Sequence, residues 1–333
     1  MLSDLRLFLL PLQWLLGFFL LWRIPAFAQC SGAGGRDRED QGASVSVIVP
    51  ARNEEGRIPQ LLESLARQTV KPREVIVVDD HSTDGTAAIA SRMGTTLLAS
   101  QPLPEGWTGK TWACWQGAQH ASGPVLLFLD ADVRLEPDGL ACLLRSLQEK
   151  GGLLSVQPCH ETQQLYEELS AFFNILLMAG MNAFTPLGPS LAPSGAFGPC
   201  FMVSRSDYIP LGGHQHPMVR GEVLESIPLA RLFQRHGLPV HLYVGRGAVS
   251  FRMYPDGHGQ LVEGWSKGFG SGALATRPLF LLAIIAWISG CFAAVFLLLA
   301  AFARPPGLEL AAYTLLYGLF ALQIWWMLRR VGS

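Results

Sequence analysis

Apolar residues form three long stretches near the two ends of the chain. Leu7 to Trp22 has 16 residues without a charged side chain, Pro278 to Ala303 has 26, and Leu310 to Leu328 has 19. A helix needs about 20 residues to cross the hydrocarbon core of a bilayer. The second and third stretches therefore predict membrane spans, whereas the first is shorter and contains Pro11.

The first stretch has two interpretations. Ala26-Phe27-Ala28 after it resembles a signal-peptidase site, which would make the stretch a cleaved secretory signal. The arginines favour a retained span: one precedes the stretch, three follow it by position 38, and Arg329-Arg330 follow the third stretch. Positive residues stay in the cytoplasm. We therefore expect an integral protein of the inner (cell) membrane whose middle part and C-terminus are cytoplasmic.

Short apolar runs alternate with amphipathic segments from Ser44 to about Arg277. The runs at 44–49, 74–78 and 125–129 have the composition of buried strands, and the segments 58–68, 85–93 and 140–147 repeat apolar residues at helical spacing. Strands that alternate with helices predict an α/β domain whose mostly parallel sheet is covered on both faces.

The chain thus divides into four predicted parts. They are an N-terminal transmembrane segment at 1–28, a linker at 29–43, an α/β domain at 44–277 and two transmembrane helices at 278–330. The linker is predicted because its residues lack the large apolar side chains needed to order a segment.

Composition is typical of a chain that lies partly in a membrane and argues against a nucleic-acid partner. Hydrophobic residues make up 50% of the chain and charged residues only 15%. The 25 Lys and Arg residues balance 26 Asp and Glu residues, so no positive field is present to hold a nucleic acid. The six cysteines have no C-x-x-C spacing, and we interpret them as reduced packing residues.

Polar and acidic residues follow each of the three predicted strands. Ligands of open parallel sheets bind at the carboxyl ends of the strands. Capping the next helix is the ordinary role of one such residue, but it explains three sets together poorly. Asp130 and Asp132, two carboxylates separated by one residue, also suit a hard divalent cation that keeps coordination positions open for phosphate oxygens. The polar and acidic residues that follow the three predicted strands are Asn53, Glu54, Asp79, Asp80, Asp130 and Asp132.

These motifs together resemble the family 2 glycosyltransferases of the GT-A fold. The matching segments are Val47 to Glu55, Val77 to Thr86 and Asp130-Ala131-Asp132, and the resemblance covers residues 44 to about 237. It implies a Rossmann-like α/β domain that binds a nucleotide-sugar donor and a divalent metal, Mg²⁺ or Mn²⁺. By resemblance, Asp132 is the principal metal ligand, Asp130 touches the ribose or the metal, and the nucleoside pocket is bordered by Pro50, Asn53, Glu54, Asp79 and Asp80.

A glycine-flanked lysine stands between the second and third motifs, in the segment Gly106 to Ala113. A turn with a solvated charge is the simpler interpretation of Lys110. Similar enzymes carry Gly-Lys here, and a flexible ammonium suits a diphosphate, so Lys110 is our candidate for that contact.

A narrower resemblance is to the carotenoid-acid (4,4'-diaponeurosporenoate) glycosyltransferases. It rests on Phe251 to Pro255, Glu263 to Lys267 and Gly272-Ala273. It implies a UDP-sugar donor, UDP-glucose by resemblance, and a lipophilic acceptor reached among membrane lipids. Enzymes that act on lipid phosphates or hopanoids share this layout and remain an alternative, as does a non-catalytic membrane scaffold with the same fold.

The expected general base departs from the family pattern. Family 2 enzymes invert the anomeric centre in one displacement, and a hydroxyl acceptor then needs a carboxylate to take its proton. Ser226 stands where the usual Glu-Asp pair has its aspartate, so Glu225 is the first candidate base and Glu222 the second. Capping the following helix is the alternative role of Glu225. A carboxylate or phosphate acceptor is already ionised at neutral pH and needs no base.

Overall fold

A computed structural model describes residues 2–25, 27, 44–255, 257–303, 305 and 307–331. The predicted linker at 29–43 lies outside these residues. The chain divides into two compact units. One, here called the sheet unit, comprises Pro25–Gln163 and Gly195–Asp256; the other, the helical unit, comprises Met1–Ile24, Gln164–Ser194 and Gly257–Ser333.

A seven-stranded, mostly parallel sheet forms the centre of the sheet unit, in the order β3-β2-β1-β4-β8-β6-β9. Only β8 runs antiparallel to its two neighbours, β4 and β6. The predicted α/β class is confirmed. The strands are β1 (Val45–Ala51), β2 (Glu74–Asp79), β3 (Thr96–Ala99), β4 (Val125–Leu129), β6 (Leu153–Gln157), β8 (Cys200–Ser204) and β9 (Val240–Val244).

A second, three-stranded sheet has the order β5-β10-β7. Its strands are β5 (Val133–Leu135), β7 (Cys159–His160) and β10 (Val249–Phe251). Three residues separate the end of β4 from the start of β5, so the turn 130–132 connects the two sheets.

Helices connect the strands of the sheet unit. They are α2 (Ile58–Ala66), α3 (Thr86–Arg92), α4 (Gly109–His120), α5 (Gly139–Lys150), the short α7 (Arg205–Tyr208) and α8 (Ser226–Arg235). The helix α2 buries Ile58, Leu61 and Leu65, as the helical spacing predicts. These side chains join the inward residues of β1 and β4 in one apolar core.

The strand β1 continues two residues beyond its predicted end at Val49. Pro50 pairs with Val78 and Ala51 with Asp79 of β2. Pairing with β4 stops at Ile48, so one side of β1 makes no strand-to-strand hydrogen bonds at Pro50. A proline, which has no backbone N–H to donate, is therefore tolerated at this position.

The helical unit contains the predicted membrane helices. Its helices are α1 (Leu2–Leu20), α6 (Glu168–Gly180), α9 (His258–Ala275), α10 (Pro278–Phe302) and α11 (Leu308–Val331). Of the described helices, α10 and α11 are long and apolar enough to cross a membrane. Trp14 Nε1 of α1 donates to the Leu319 carbonyl of α11 at 3.0 Å, so α1 packs within this unit.

The cysteines only partly follow the sequence expectation. Cys114, Cys159, Cys200 and Cys291 form no disulfide, as expected, whereas Cys142 on α5 is disulfide-bonded. The expectation considered spacing along the chain, and spacing carries no information about which side chains the fold brings together.

Candidate active site

The residues after β1 and β2 are joined by hydrogen bonds at the carboxyl ends of these parallel strands. The Asp80 N–H donates to the Ala51 carbonyl at 2.8 Å, and the Thr83 N–H donates to Asn53 Oδ1 at 2.8 Å. Asn53 has a left-handed backbone (φ 56°), which asparagine tolerates better than most residues. The first two motifs are therefore hydrogen-bonded to each other and form one rim at the carboxyl edge of the sheet.

Glu54 links this rim to the start of α2. Its N–H donates to Thr86 Oγ1 at 2.8 Å, and its carboxylate accepts from Arg57 Nη1 at 3.1 Å. Burial raises the pKa of the Glu54 carboxyl above its ordinary value, although Arg57 acts in the opposite direction and Asp130 adds to the increase. The sequence did not single out Arg57, although opposite charges three residues apart at a helix start were a signal for it.

Asp79 and Asp80 lie next to each other but have different surroundings. Asp79 Oδ1 is buried and has no hydrogen-bond partner among the described residues. Asp80 is 9% exposed, and its Oδ2 lies 3.7 Å from Arg52 Nη1. Gly109 at the start of α4 lies against Asp80 so closely that a Cβ there would collide with the carboxylate.

Lys110 lies in the first turn of α4 and contacts two carboxylates from distant parts of the chain. Its Nζ is 2.8 Å from Asp130 Oδ1 and 3.0 Å from Glu225 Oε1. Burial opposes the charge on Lys110, but Asp130 and Glu225 outweigh it and hold the pKa of the ammonium well above its ordinary value. Lys110 is thus a paired cation rather than the solvated charge of a turn.

Asp130 and Asp132 lie in the turn after β4, where the Val133 N–H donates to the Asp130 carbonyl at 3.2 Å. Asp132 is partly exposed, and burial together with Asp130 and Glu54 raises the pKa of its carboxyl. The two carboxylates are therefore close enough to repel each other.

Asp130 and Asp132 fit a metal ion whose remaining ligands come from water and from the phosphates of the donor. Among the residues that the structure describes, no group of three His, Cys, Asp or Glu side chains could hold a metal alone. Mg²⁺ usually binds through one or two carboxylates, several waters and substrate phosphates. Asp132 and Asp130 supply such a partial set of ligands. Lys110 already offsets part of the negative charge of Asp130.

The two candidate bases differ in burial. Glu225 is 3% exposed and its carboxylate contacts Lys110 at 3.0 Å, whereas Glu222 is exposed. Glu225 occupies the N-cap position of α8 but makes no side-chain capping hydrogen bond. Ser226, in place of the usual aspartate, donates to the Ala196 carbonyl at 2.9 Å.

Gly198 lies beside Lys110 and Glu225 and has no side chain to fill the space next to them. A Cβ at position 198 would lie 3.3 Å from Glu225 Oε1 and 3.6 Å from Lys110 Nζ. No local sequence pattern predicts that the backbone at Gly198 passes close to an ion pair between two distant segments.

Comparisons with known proteins identify the family. The family model "Glycosyl transferase family 2" matches residues 46–206. A 4,4'-diaponeurosporenoate glycosyltransferase of Staphylococcus haemolyticus is 42% identical over 253 residues, which cover 74% of this chain and 67% of the relative. The Staphylococcus aureus protein of the same name is 38% identical over 294 residues, 87% of this chain and 77% of the relative.

Solved structures share the fold. Glucosyl-3-phosphoglycerate synthase from Mycobacterium tuberculosis, crystallised with Mn²⁺, UDP and glucosyl-3-phosphoglycerate, superposes with a TM-score of 0.50 at 22% identity, covering 76% of this chain and 87% of that one. Its complex with Mn²⁺, UDP and phosphoglyceric acid gives 0.51, with 76% and 85% covered. With this GT-A fold and these relatives, the chain belongs to glycosyl transferase family 2.

Proposed function

We propose that this glycosyltransferase transfers a hexose, glucose from UDP-glucose, to a lipophilic acceptor that carries a carboxylate, such as a carotenoid acid. The acceptor class is supported by the names of the relatives at 38–42% identity. A UDP-sugar donor is supported by the two fold neighbours, glucosyl-3-phosphoglycerate synthase complexes that hold UDP and Mn²⁺.

The observation that carries the acceptor proposal is that Ser226, which cannot act as a base at neutral pH, stands where the family pattern has an aspartate, and its hydroxyl donates to the Ala196 carbonyl at 2.9 Å. Glu222 is exposed, and Glu225 is held by Lys110 at 3.0 Å in the donor-free protein. The protein thus lacks the family's usual general base for a hydroxyl. A carboxylic acid has a reference pKa of about 4, so its anion attacks without losing a proton first.

The reaction is a single displacement. The acceptor carboxylate oxygen bonds to the anomeric carbon as the bond from that carbon to the phosphate oxygen breaks, and UDP leaves with the bonding electrons. We assign the nucleoside pocket to Pro50, Asn53, Glu54, Asp79 and Asp80, where the Asp79 Oδ1 atom is left without a partner. Lys110 offsets charge on the diphosphate.

We assign the metal to Asp132 and Asp130. A bound Mg²⁺ or Mn²⁺ would supply positive charge against the leaving diphosphate. Asp132 and Asp130 would hold it, while Lys110 neutralises part of the charge of Asp130.

We further propose that the protein is an integral membrane protein with its active site on the cytoplasmic side. The support is the length of α10 and α11, 25 and 24 residues, each sufficient to cross a bilayer. Arg329 and Arg330 in the last turn of α11 favour a cytoplasmic C-terminus.

The test is transfer from labelled sugar nucleotides by the detergent-solubilised full-length protein. UDP-glucose, UDP-galactose and GDP-mannose are each offered with a carotenoid acid, the corresponding alcohol, a lipid phosphate and a hopanoid, with Mn²⁺, with Mg²⁺ or with EDTA. We expect label from UDP-glucose on the acid, in a product that mild alkali cleaves because it is an ester.

Asp132→Asn should lower kcat/KM by about 100-fold or more, since the charge stabilisation at stake is several kcal/mol. Glu149→Gln removes an exposed carboxylate on α5 and should leave transfer unchanged. An alkali-stable product on the alcohol, or label only on the lipid phosphate, would instead identify the acceptor as a hydroxyl or a phosphate.

A further inference from the structure

The two carboxylates around Lys110 hold its ammonium unequally. Lys110 Nζ donates a hydrogen bond to Asp130 Oδ2 at 3.1 Å in addition to its 2.8 Å contact with Oδ1. Glu225 Oε1 lies 3.0 Å from the ammonium but has no aligned hydrogen bond from any described residue. Glu225 is therefore the more easily exchanged of the two partners.

Among the residues that the structure describes, no side chain other than Lys110 forms an ion pair with Glu225. It is 3% exposed, it makes no capping bond to α8, and Gly198 beside it offers no side chain. A buried carboxylate that loses its counter-ion loses stability, because nothing replaces the attraction or the lost hydration. Any ligand that draws Lys110 away must meet this cost.

Lys110 is open to such a ligand. Its side chain is 35% exposed, compared with 3% for Glu225. The loop before it is held independently, because the Thr108 N–H donates to the Arg220 carbonyl at 3.0 Å and Thr111 Oγ1 donates to the same carbonyl at 2.5 Å. The ammonium can therefore change partner while the start of α4 stays in place.

We propose that Glu225 is a positioning residue that competes with the donor diphosphate for Lys110. In the donor-free protein Glu225 and Asp130 share the ammonium. A bound nucleoside diphosphate takes the place of Glu225, and Glu225 reclaims Lys110 when the product leaves. Glu225 thereby weakens binding of the released nucleoside diphosphate and speeds its departure. This inference rests on the proposed use of a nucleoside-diphosphate donor.

A double-mutant cycle tests the exchange. The dissociation constants of UDP, GDP and ADP with Mn²⁺ are measured by calorimetry for the full-length protein, Glu225→Gln, Lys110→Met and the double variant. Binding is measured without acceptor, so a role of Glu225 as a base does not enter. We expect Glu225→Gln to bind UDP about fivefold more tightly, the value of a partly exposed ion pair. In the Lys110→Met background, Glu225→Gln should have no effect.

Two further variants complete the design. Glu225→Asp keeps the charge but withdraws it from Lys110, so it should also tighten UDP binding, and it replaces Glu225→Gln if that variant misfolds. Glu105→Gln removes an exposed carboxylate just before Gly106 and should bind UDP like the unaltered protein. In turnover, Glu225→Gln should show stronger inhibition by UDP.

Each outcome decides between the alternatives. Unchanged or weaker UDP binding by Glu225→Gln overturns the exchange. Tightening that persists in the Lys110→Met background, without an effect of Glu225→Asp, overturns it in favour of simple charge repulsion. A protein that binds GDP or ADP but not UDP contradicts only the proposed donor. A protein that binds none of the three overturns both proposals.

Discussion

Single side chains at the candidate site differ in how far the sequence could predict their surroundings. Asn53 and Asp80 follow adjacent parallel strands, so the motif positions alone predicted that they would lie at one edge of the sheet. The contact of Lys110 with Glu225 joins α4 to the start of α8. No periodicity or spacing links two such segments, and the roles of both residues remain predictions.

Buried histidines also escaped the sequence analysis, and one of them gives a pH-dependent stability. His160 on β7 is 8% exposed, its ring centroid is 4.6 Å from that of Phe251, and burial lowers its pKa to about 4. An unfolded histidine has a pKa of about 6.5. The unfolded chain therefore takes up the proton first as pH falls, and stability present above pH 6.5 is lost between pH 6.5 and 4.

His160→Leu should remove this contribution. Between pH 7.5 and 4.5, the apparent melting temperature of the unaltered protein should fall by about 5–10 °C more than that of His160→Leu. The measurement is thermal unfolding of the detergent-solubilised protein. His120→Leu, which replaces an exposed histidine at the end of α4, is the control and should follow the unaltered protein. Equal losses in all three proteins would contradict the assignment.

Whole elements followed the apolar pattern closely, but their order in the sheet did not. The predicted strand at 125–129 coincides with β4, and the predicted helix at 58–68 contains α2. The antiparallel β8 between β4 and β6 had no counterpart in the prediction. Apolar runs indicate that a strand is buried, and they carry no information about which strand lies beside it.

The junction of α4 with the end of β2 makes an element-scale prediction. Gly109 begins α4 directly on the Asp80 carboxylate, where a Cβ would collide with Oδ2. Gly109→Ala must displace Asp80, which borders the proposed nucleoside pocket. We expect a dissociation constant for UDP about tenfold higher, with little loss of stability because alanine is a good helix former.

Gly56→Ala is the matched control for this substitution. It lies in the loop after β1, and a Cβ there has nothing within 4 Å. Calorimetric titration with UDP and thermal unfolding of both variants separate a local effect from a loss of folding. Tight UDP binding by Gly109→Ala would show that Asp80 does not border the nucleoside.

At the scale of the whole molecule, composition alone indicated a membrane protein, but it left two interpretations of α1. A cleaved signal has no lasting partners, whereas a retained helix must pack. In the helical unit, Gln323 of α11 is 2% exposed, accepts from Trp287 Nε1 at 2.9 Å and donates to the Trp14 carbonyl at 2.7 Å. Polar side chains among apolar helices need such partners, and α1 supplies one of them.

We therefore predict that α1 stays in the mature protein and that Gly17 is essential to its packing. A Cβ at position 17 would lie 2.5 Å from Trp287 Nε1 and 2.6 Å from Gln323 Oε1. Gly17→Leu should break the hydrogen bonds of Gln323 and destabilise the protein by about 1–3 kcal/mol, the usual cost of overpacking. Its melting temperature in detergent should fall, and less protein should be recovered from membranes.

Gly318→Leu, at a position with nothing within 4 Å, should behave like the unaltered protein. Intact mass should show the N-terminal segment in place; a mature chain that begins at Gln29 would establish a cleaved signal and overturn the prediction.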